Sequence, residues 1–460
     1  MNWQHVLLAM LPEHILLVGI VLLIGLELVS ERPRGALGLA LLTVAAATAA
    51  AALLAHQGYA SAPFAGHFSV NPATLTAKAI VLALVLPTLL LSRDDFSETR
   101  FHLLLLSSVY GVCLLLSADS FLTMFLGLEL MSLPVYVLVL LAFQRPDSAE
   151  AALKYLVLGG AATATFLMGV SLLYGGTGTL DLSAFTRALG SPNTMAQAAV
   201  VLVVVAFFLK AAIVPFHAWA PDAYEGASVP VTAYMATVIK AGVLLAAVRL
   251  FGTTPVGRPM ADLLTVLPLA SMVWGNLAAI RQTSFRRMIA YSSIAHAGYL
   301  FFAFLGAAPG RFQAVLFYIL AYALMNLLAF ASLPRGADDA ASDRLSSLKG
   351  MYQRRPFAAL MLGLAMLSLA GIPPLPGFIA KFLIFKNVIA AGYTAYAVVG
   401  LLGSYLGIYF YLRVIQYAFM STDAVVEPAS ERRLALSASV LCLVPAVLVA
   451  VFPGWFIGQL

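Results

Sequence analysis

The chain is a succession of apolar runs, most of them close to the length that crosses a lipid bilayer. A spanning helix needs about 20 mostly apolar residues, and lipid offers backbone groups no hydrogen-bond partners, so helices are the expected form of each crossing. Fourteen candidate spans lie near residues 10–29, 36–55, 74–92, 101–117, 119–142, 150–174, 196–219, 229–251, 261–280, 287–306, 311–333, 356–390, 395–419 and 435–457. The sequence therefore predicts an all-α, polytopic membrane protein with about 14 transmembrane helices.

Composition agrees with this class and excludes others. Of the 460 residues, 62% are hydrophobic and 10% are charged, whereas soluble domains carry about 25% charged residues. The net charge of +6 comes mostly from arginines in short loops, so it does not indicate a nucleic-acid partner. Cys113 and Cys442 lie in apolar runs and form neither a disulfide framework nor an iron–sulfur spacing. We therefore expect no metal or cofactor site in this chain.

The loops between the candidate spans differ in basic residues. The odd-numbered loops hold Arg32, Arg34, Arg93, Arg100, Arg145, Arg281, Arg286, Arg287, Arg335, Arg344, Lys349, Arg354, Arg355, Arg432 and Arg433. The even-numbered loops hold Arg187, Arg258 and Arg311, with Lys78 and Arg249 at helix ends. Because basic residues stay on the cytoplasmic side, both termini are predicted to lie on the outer side.

Five ionisable residues lie well inside candidate spans: Glu129, Lys154, Lys210, Lys240 and Lys381. A charged side chain at the centre of a membrane helix costs about 2.5–3.5 kcal/mol, so several of them need a compensating cause. A snorkelling side chain could explain Lys154, which is near a helix end, and a Glu–Lys pair could serve only to hold helices together. The functional interpretation is a path of protonatable groups, because burial disfavours the charged form of lysine and a nearby carboxylate favours it.

Two histidines fit the same path. His217 follows a predicted helix break, and His296 lies in the apolar segment "YSSIAHAGYL". A neutral imidazole can relay a proton through its two nitrogens. A lone buried histidine can equally be only hydrogen-bonded, so both remain candidates for a relay.

Prolines interrupt two of the candidate spans beside lysines. Pro215 follows Lys210 and removes a helical hydrogen bond. The segment "LAGIPPLPGFIAKF" places Pro373, Pro374 and Pro376 just before Lys381. Broken helices at membrane depth mark ion sites in transporters, often at matching places in inverted repeats.

The break positions divide the chain into four predicted regions. Spans 1–3 occupy 1–100, a first five-helix repeat with spans 4–8 occupies 101–255, a second, inverted repeat with spans 9–13 occupies 256–420, and span 14 occupies 421–460. The broken helices are spans 7 and 12. An odd number of helices in a unit makes two successive units inverted.

These motifs together resemble the antiporter-like membrane subunits of proton-pumping NADH:quinone oxidoreductase, respiratory complex I. The resemblance covers nearly the whole chain and rests on "GLELMSLPVYVL" at 127–138, "EAALKYLVLGG" at 150–160, "FFLKAAIVPFHAWAPDAYEGASVPVTAYMATVIKAG" at 207–242, "RQTSFRRMIAYSSIAHAGYL" at 281–300 and "LAGIPPLPGFIAKF" at 369–382. Lysine at 381 and the chain end at Leu460 favour the subunit N branch over the M and L branches.

The resemblance implies a role for each buried charge. Glu129 matches the family's helix-5 glutamate, and Lys210 matches the helix-7 lysine that this glutamate faces. Lys154, Lys240 and Lys381 match the lysines of helices 6, 8 and 12. The chain would then be a non-redox subunit of a proton translocase, with quinone reduction in other subunits.

The same resemblance implies partners and a location. NADH, FMN, iron–sulfur clusters and quinone are expected in partner subunits. Direct contacts are expected with other antiporter-like and small membrane subunits and with the lipid bilayer, and indirect coupling with the hydrophilic redox arm. The location would be the bacterial cytoplasmic (inner) membrane, with both termini periplasmic.

Two other functions remain open at the level of sequence. The first is a cation/proton antiporter subunit of a multi-subunit exchanger or a hydrogenase-linked complex, since that function uses the same fold and buried lysines. The second is a scaffold whose buried ion pairs only fix helix packing.

Overall fold

The computed structural model describes residues 3–29, 35–93, 95–96, 99–142, 147–252, 254, 256–306, 308–333, 343–421 and 433–459. Five arginines from the loop-charge comparison, Arg32, Arg34, Arg145, Arg335 and Arg432, lie outside these residues. The described chain is almost entirely helical, as predicted, and most of its helices are long and apolar.

The first part of the chain is a helical layer with one small hairpin. Its elements are α1 (Trp3–Ala9), α2 (Leu11–Val29), α3 (Ala36–His56), β1 (Ser61–Phe64), β2 (Phe68–Val70) and α4 (Pro72–Ser92). The antiparallel strands pair Ser61 with Val70 and Phe64 with Phe68. The sequence did not predict this hairpin, because two strands of three or four residues are too short for an alternating pattern to be recognised.

The second part contains the first predicted break. Its elements are α5 (Thr99–Leu116), α6 (Phe121–Leu140), α7 (Ser148–Thr177), α8 (Ser183–Leu189), α9 (Thr194–Ala211), α10 (Trp219–Gly226), α11 (Val229–Tyr234), a π-helical turn (Met235–Ile239) and α12 (Lys240–Phe251). The helix that carries Lys210 ends at Ala211, and Ala212 takes a left-handed conformation with φ of 62°. A left-handed residue other than glycine costs about 1–2 kcal/mol, so the surrounding packing must hold this break.

The third part contains the second break. Its elements are α13 (Arg258–Ile280), α14 (Phe285–Phe302), a 3₁₀ turn (Ala303–Leu305), α15 (Ala308–Ser332), a 3₁₀ turn (Leu345–Leu348), α16 (Met351–Arg354), α17 (Pro356–Ala370), α18 (Pro376–Ala390), α19 (Thr394–Phe419), α20 (Arg433–Val451) and α21 (Pro453–Gln459). Gly371, with φ of 88°, ends α17, and Pro376 opens α18. The predicted span 356–390 is thus divided into two 15-residue helices.

Thirteen helices in the described residues are long and apolar enough to cross a membrane. The predicted crossing that is missing from these thirteen is span 12, the divided pair α17 and α18, and the total of fourteen stays a prediction. The apolar cores of the segments Val229–Phe251 and Gly310–Ser332 are fully buried within the bundle, whereas less than a third of the corresponding parts of α2 and α20 is buried. The charged residues of the central helices are therefore enclosed by protein rather than by lipid.

Gly377 allows a close approach between the two halves of the divided helix. A Cβ atom at this position would overlap the backbone oxygen of Ser368, whose hydroxyl accepts a hydrogen bond from the Gly377 amide at 3.1 Å. Gly377→Ala is expected to destabilise the protein by about 1–3 kcal/mol, the usual cost of overpacking, and so to lower its thermal midpoint. Gly160→Ala in α7 is the matched control, since a Cβ there meets no atom within 4 Å. Equal midpoints for the two variants would contradict this account of the break.

Candidate functional site

Glu129 and Lys210 form an ion pair between α6 and the end of α9. The Lys210 Nζ atom lies 3.3 Å from Glu129 Oε1 and 3.3 Å from Ser132 Oγ. Thr163 of α7 donates a hydrogen bond to the same carboxylate oxygen. The side chain of Lys210 is 7% exposed and that of Glu129 is 22% exposed. A small cavity beside both residues has room for roughly one water molecule.

Lys240 lies at the first position of α12, directly after the π-helical turn. Its ammonium group donates to the backbone oxygen of Ser293 at 2.7 Å and to the Ser293 hydroxyl. Among the described residues, no carboxylate oxygen lies within 4.0 Å of its Nζ atom in an ion pair. π turns inside α-helices are rare, and those that occur are frequently found at functional sites. Lys240 is thus a buried cation held by neutral oxygen atoms.

A buried chain of hydroxyl and imidazole groups follows on α14. His296 Nδ1 lies 2.8 Å from the Tyr318 hydroxyl, and His296 Nε2 lies 3.0 Å from the Tyr411 hydroxyl. The Tyr411 hydroxyl also contacts Ser292 Oγ at 2.5 Å. Both ring nitrogens therefore have partners that can donate or accept a proton, which is the geometry that a relay needs.

Lys381 lies just after the second break and binds the open end of α17. Its Nζ atom donates to the backbone oxygens of Leu369 at 3.2 Å and Ala370 at 3.0 Å, and to Ser404 Oγ at 3.0 Å. The last carbonyl groups of a helix have no partners within the helix and carry partial negative charge. The interruption of the helix thus supplies the ligands of the lysine, and the Tyr299 ring lies 5.2 Å away.

The middle of the chain matches a family model. Residues 118–407 match the model described as NADH:quinone oxidoreductase/Mrp antiporter, transmembrane. The chain belongs to this family. The match includes all five predicted buried charges and both helix breaks.

Individual relatives agree with that assignment. The chain is 38% identical to NADH-quinone oxidoreductase subunit N of Pelobacter propionicus, over 92% of this chain and 91% of that protein. It superimposes on a chain of respiratory complex I from Thermus thermophilus with a TM-score of 0.84 and 35% identity, covering 97% of this chain and 98% of the other. A chain of the Mrp complex from Dietzia sp. has a TM-score of 0.85 at 22% identity, covering 98% and 96%, and shares the fold.

Lys154 occupies a different environment from the other lysines of this antiporter-like family member. Its side chain is 44% exposed and makes ion pairs of 2.7 Å with Glu150 and Asp222. Arg287 joins the cluster through 2.8 Å contacts with Asp222 and Glu225. Partial burial raises the pKa of Asp222, but the hydrogen bonds and charges of Lys154 and Arg287 outweigh it and hold this pKa below its usual value. Lys154 is therefore part of a peripheral charge cluster, and its role in a proton path stays a prediction.

His217 lies in the first break, on the side facing α13. Its Nε2 atom accepts a hydrogen bond from Trp274 Nε1 at 3.1 Å, and its Nδ1 atom is buried without a hydrogen-bond partner in the described residues. The structure does not bring His217 into hydrogen-bond contact with Lys210 or Lys240. Its role as a relay stays a prediction.

Lys78 and Arg286 are among the charges assigned from sequence to loops or helix ends that are buried instead. Lys78 is in the second turn of α4 and forms a fully buried ion pair with Glu13. Arg286 is in the first turn of α14 and pairs with Asp343 at 3.0 Å, with side-chain exposures of 0% and 2%. Loop-charge counting misplaced both because it assumes that a charge near a span end points to water.

The described residues contain neither a candidate metal site nor a disulfide bond. No group of three or more His, Cys, Asp or Glu side chains there is placed to hold a metal ion. Cys113 and Cys442 are both buried and unpaired with each other. Both thiols therefore contribute to the packing of the helices.

Tyr411 connects Ser292 to His296, and its replacement tests the hydroxyl chain. Tyr411→Phe removes the hydroxyl that contacts both Ser292 and His296, leaving buried polar groups that cost about 1–3 kcal/mol when unsatisfied. We expect slower NADH-driven proton translocation in inverted membrane vesicles. Tyr409→Phe, on the same helix with a 60% exposed ring, is the matched control. Indistinguishable rates for the two variants would remove Tyr411 from the path.

Proposed function

We propose that this chain is a proton-translocating membrane subunit of an NADH:quinone oxidoreductase, coupled at a distance to quinone reduction in other subunits. Family membership supports the class of complex. The observation that carries the proposal is the enclosed series Lys210, Lys240, His296 and Lys381, in which every member has hydrogen-bonding partners inside the bundle. Such buried charges are expensive in a membrane and are associated with ion and proton pathways.

The contacts suggest how a proton moves along this series. Within the described residues, Lys210 is the one lysine of the Lys210, Lys240 and Lys381 series with a carboxylate partner, Glu129, which favours its ammonium form. Lys240 and Lys381 have only neutral oxygen ligands in the described residues, so burial opposes their charge and carbonyl dipoles offset it in part. When Glu129 moves away or is neutralised, Lys210 gives up its proton toward Lys240. From there the proton passes to His296 and its hydroxyl partner Tyr411, since His296 lies within electrostatic range of both Lys240 and Lys381, and then to Lys381 and outward.

We also propose that 101–255 and 256–420 are two inverted five-helix repeats, flanked by the regions 1–100 and 421–460. Each unit opens with two closely packed helices, α5 with α6 and α13 with α14. Each also contains one broken helix beside a buried lysine, Lys210 or Lys381. The two breaks therefore occupy equivalent places in the two units, as expected for inverted repeats.

The proposed setting follows from the same family. The partners are other antiporter-like and small membrane subunits and, indirectly, a redox arm that carries FMN and iron–sulfur clusters and uses NADH and quinone. The chain lies in a bacterial cytoplasmic membrane, and the distribution of basic loops supports termini on the periplasmic side.

A cation/proton antiporter subunit remains the competing function, because the Mrp neighbour has the same fold. The two functions require different partner subunits. Affinity purification of the chain from its native membrane should recover flavin and iron–sulfur subunits if it belongs to an oxidoreductase. Recovery of membrane subunits alone, with sodium-driven proton exchange in vesicles, would favour the antiporter.

Lys210→Met provides the direct test of the proposed path. NADH-driven proton uptake by inverted vesicles should fall several-fold per NADH oxidised, because the ammonium group that pairs with Glu129 is removed. Assembly is checked by NADH oxidation with an artificial acceptor and by native gels. Lys386→Met is the control, since Lys386 is an exposed lysine on α18. Wild-type stoichiometry in assembled Lys210→Met complexes would refute the mechanism.

A further inference from the structure

One buried ion pair, between Glu13 and Lys78, lies outside the part of the chain that matches the family model. Glu13 is in the first turn of α2, and Lys78 is in the second turn of α4. Both side chains are completely buried, and Lys78 Nζ contacts Glu13 Oε1. Ionisable residues inside a membrane span are energetically costly and usually functional. This pair is not part of the Lys210 series.

The pair is poorly satisfied as two ions. The Lys78 ammonium has one hydrogen-bond acceptor in the described residues, Glu13 Oε1, and lies 5.0 Å from the Phe68 ring centre. Glu13 Oε2 is buried and has no hydrogen-bond partner there. Lys381, by comparison, has three oxygen ligands. A buried ion pair offsets its desolvation only when its remaining donors and acceptors are satisfied, and those of this pair are not satisfied within the described residues.

The surroundings of the pair connect it to the helix of Lys240. Phe68 of β2 covers Lys78, and the next residue, Ser69, accepts a hydrogen bond from Arg249 Nη2 at 2.6 Å. Arg249 belongs to α12, the helix that Lys240 opens. The hairpin thus closes the pair off at the ends of α2 and α4 that we assign to the outer face.

Other titratable groups face the pair from neighbouring helices. Tyr110 and Cys113 of α5 lie within electrostatic range of Glu13. His14, beside Glu13 in α2, has a buried Nε2 atom without a hydrogen-bond partner in the described residues. Lys78 is the one ion-pair partner of Glu13 within the described residues.

We propose that Glu13 and Lys78 form a further proton-exchanging site, separate from the Lys210 series; this rests on the proposed function. In the exchange an N–H bond of the Lys78 ammonium breaks and an O–H bond forms on Glu13. The products are a neutral amine and a neutral carboxylic acid, so no charge is left unbalanced. The site holds one proton in either form and gives the three N-terminal spanning helices a part in translocation.

Lys78→Arg separates this proposal from a purely structural ion pair. Arginine keeps the cation and its pairing with Glu13 but does not release a proton. The assembled Lys78→Arg complex should therefore lose most of its proton uptake per NADH, and the neutral double variant Glu13→Gln/Lys78→Met should lose as much. A structural pair predicts the opposite, because both variants leave no buried charge without a partner. Wild-type uptake in either assembled variant would overturn the proposal.

Two further measurements keep the test decisive. Lys240→Met in the same vesicles tests the proposed function itself, so wild-type uptake there counts against the whole path and not against this pair alone. If the Lys78 variants fail to assemble, infrared difference spectra of the wild-type complex during turnover should contain the carbonyl stretch of a carboxylic acid that shifts in Glu13→Asp. A spectrum without that shift would overturn the proposal.

Discussion

Lys240→Met is expected to abolish proton translocation while leaving the fold intact. The ammonium group of Lys240 contacts only the backbone oxygen and hydroxyl of Ser293 among the described residues, so its removal leaves no buried carboxylate without a partner. Methionine has a similar length and is readily buried. The substitution therefore removes a desolvated cation at little cost to stability, but it interrupts the series between Lys210 and His296.

The measurement is NADH-driven proton uptake in inverted vesicles, normalised to the amount of assembled complex. Lys386→Met is the control, because it removes an exposed lysine from α18. Lys240→Arg provides a second comparison, since it keeps a cation at this place but cannot release a proton. Uptake in Lys240→Arg equal to wild type would mean that the position needs only a fixed charge, and unchanged uptake in Lys240→Met would remove it from the path.

The buried lysines and the breaks could be predicted from sequence because each violates a strong rule. Few non-functional explanations account for a lysine such as Lys240 in a long apolar run. The same holds for a proline cluster such as 373–376 inside a membrane helix. The structure places Lys210 beside Glu129 and Lys381 at the open end of α17, next to the second break.

The hydrogen-bond partners around His296 could not be predicted in the same way. Ser292, Tyr318 and Tyr411 are ordinary residues of apolar helices, and nothing in a single sequence separates a relay hydroxyl from a packing residue. Only the meeting of α14, α15 and α19 makes them a chain. The Glu13–Lys78 pair was missed for a related reason, since each of its residues lies near a helix end and looks solvent-facing in isolation.

Arg286→Met is expected to have the largest effect on stability. Arg286 is fully buried, and its Nε atom lies 3.0 Å from Asp343 Oδ1. Its Nη1 atom donates to the backbone oxygen of Ala227 at the end of α10. One guanidinium group thus joins the start of α14 to α10 and to the segment that begins at residue 343. Neither the Lys210 series nor the Glu13–Lys78 pair shares these contacts.

The expected loss follows from the carboxylate that remains. Removing one partner of a buried ion pair costs about 3–5 kcal/mol, a large fraction of the stability of a typical domain. We expect little assembled Arg286→Met protein and a much lower thermal midpoint. Arg344→Met is the matched control, because Arg344 lies beside Asp343 but is exposed. Arg286→Met/Asp343→Asn should recover part of the loss, since the buried negative charge is removed. If the double variant were no more stable than Arg286→Met, the loss would come from the Ala227 contact and from packing, and the ion pair would not be its cause.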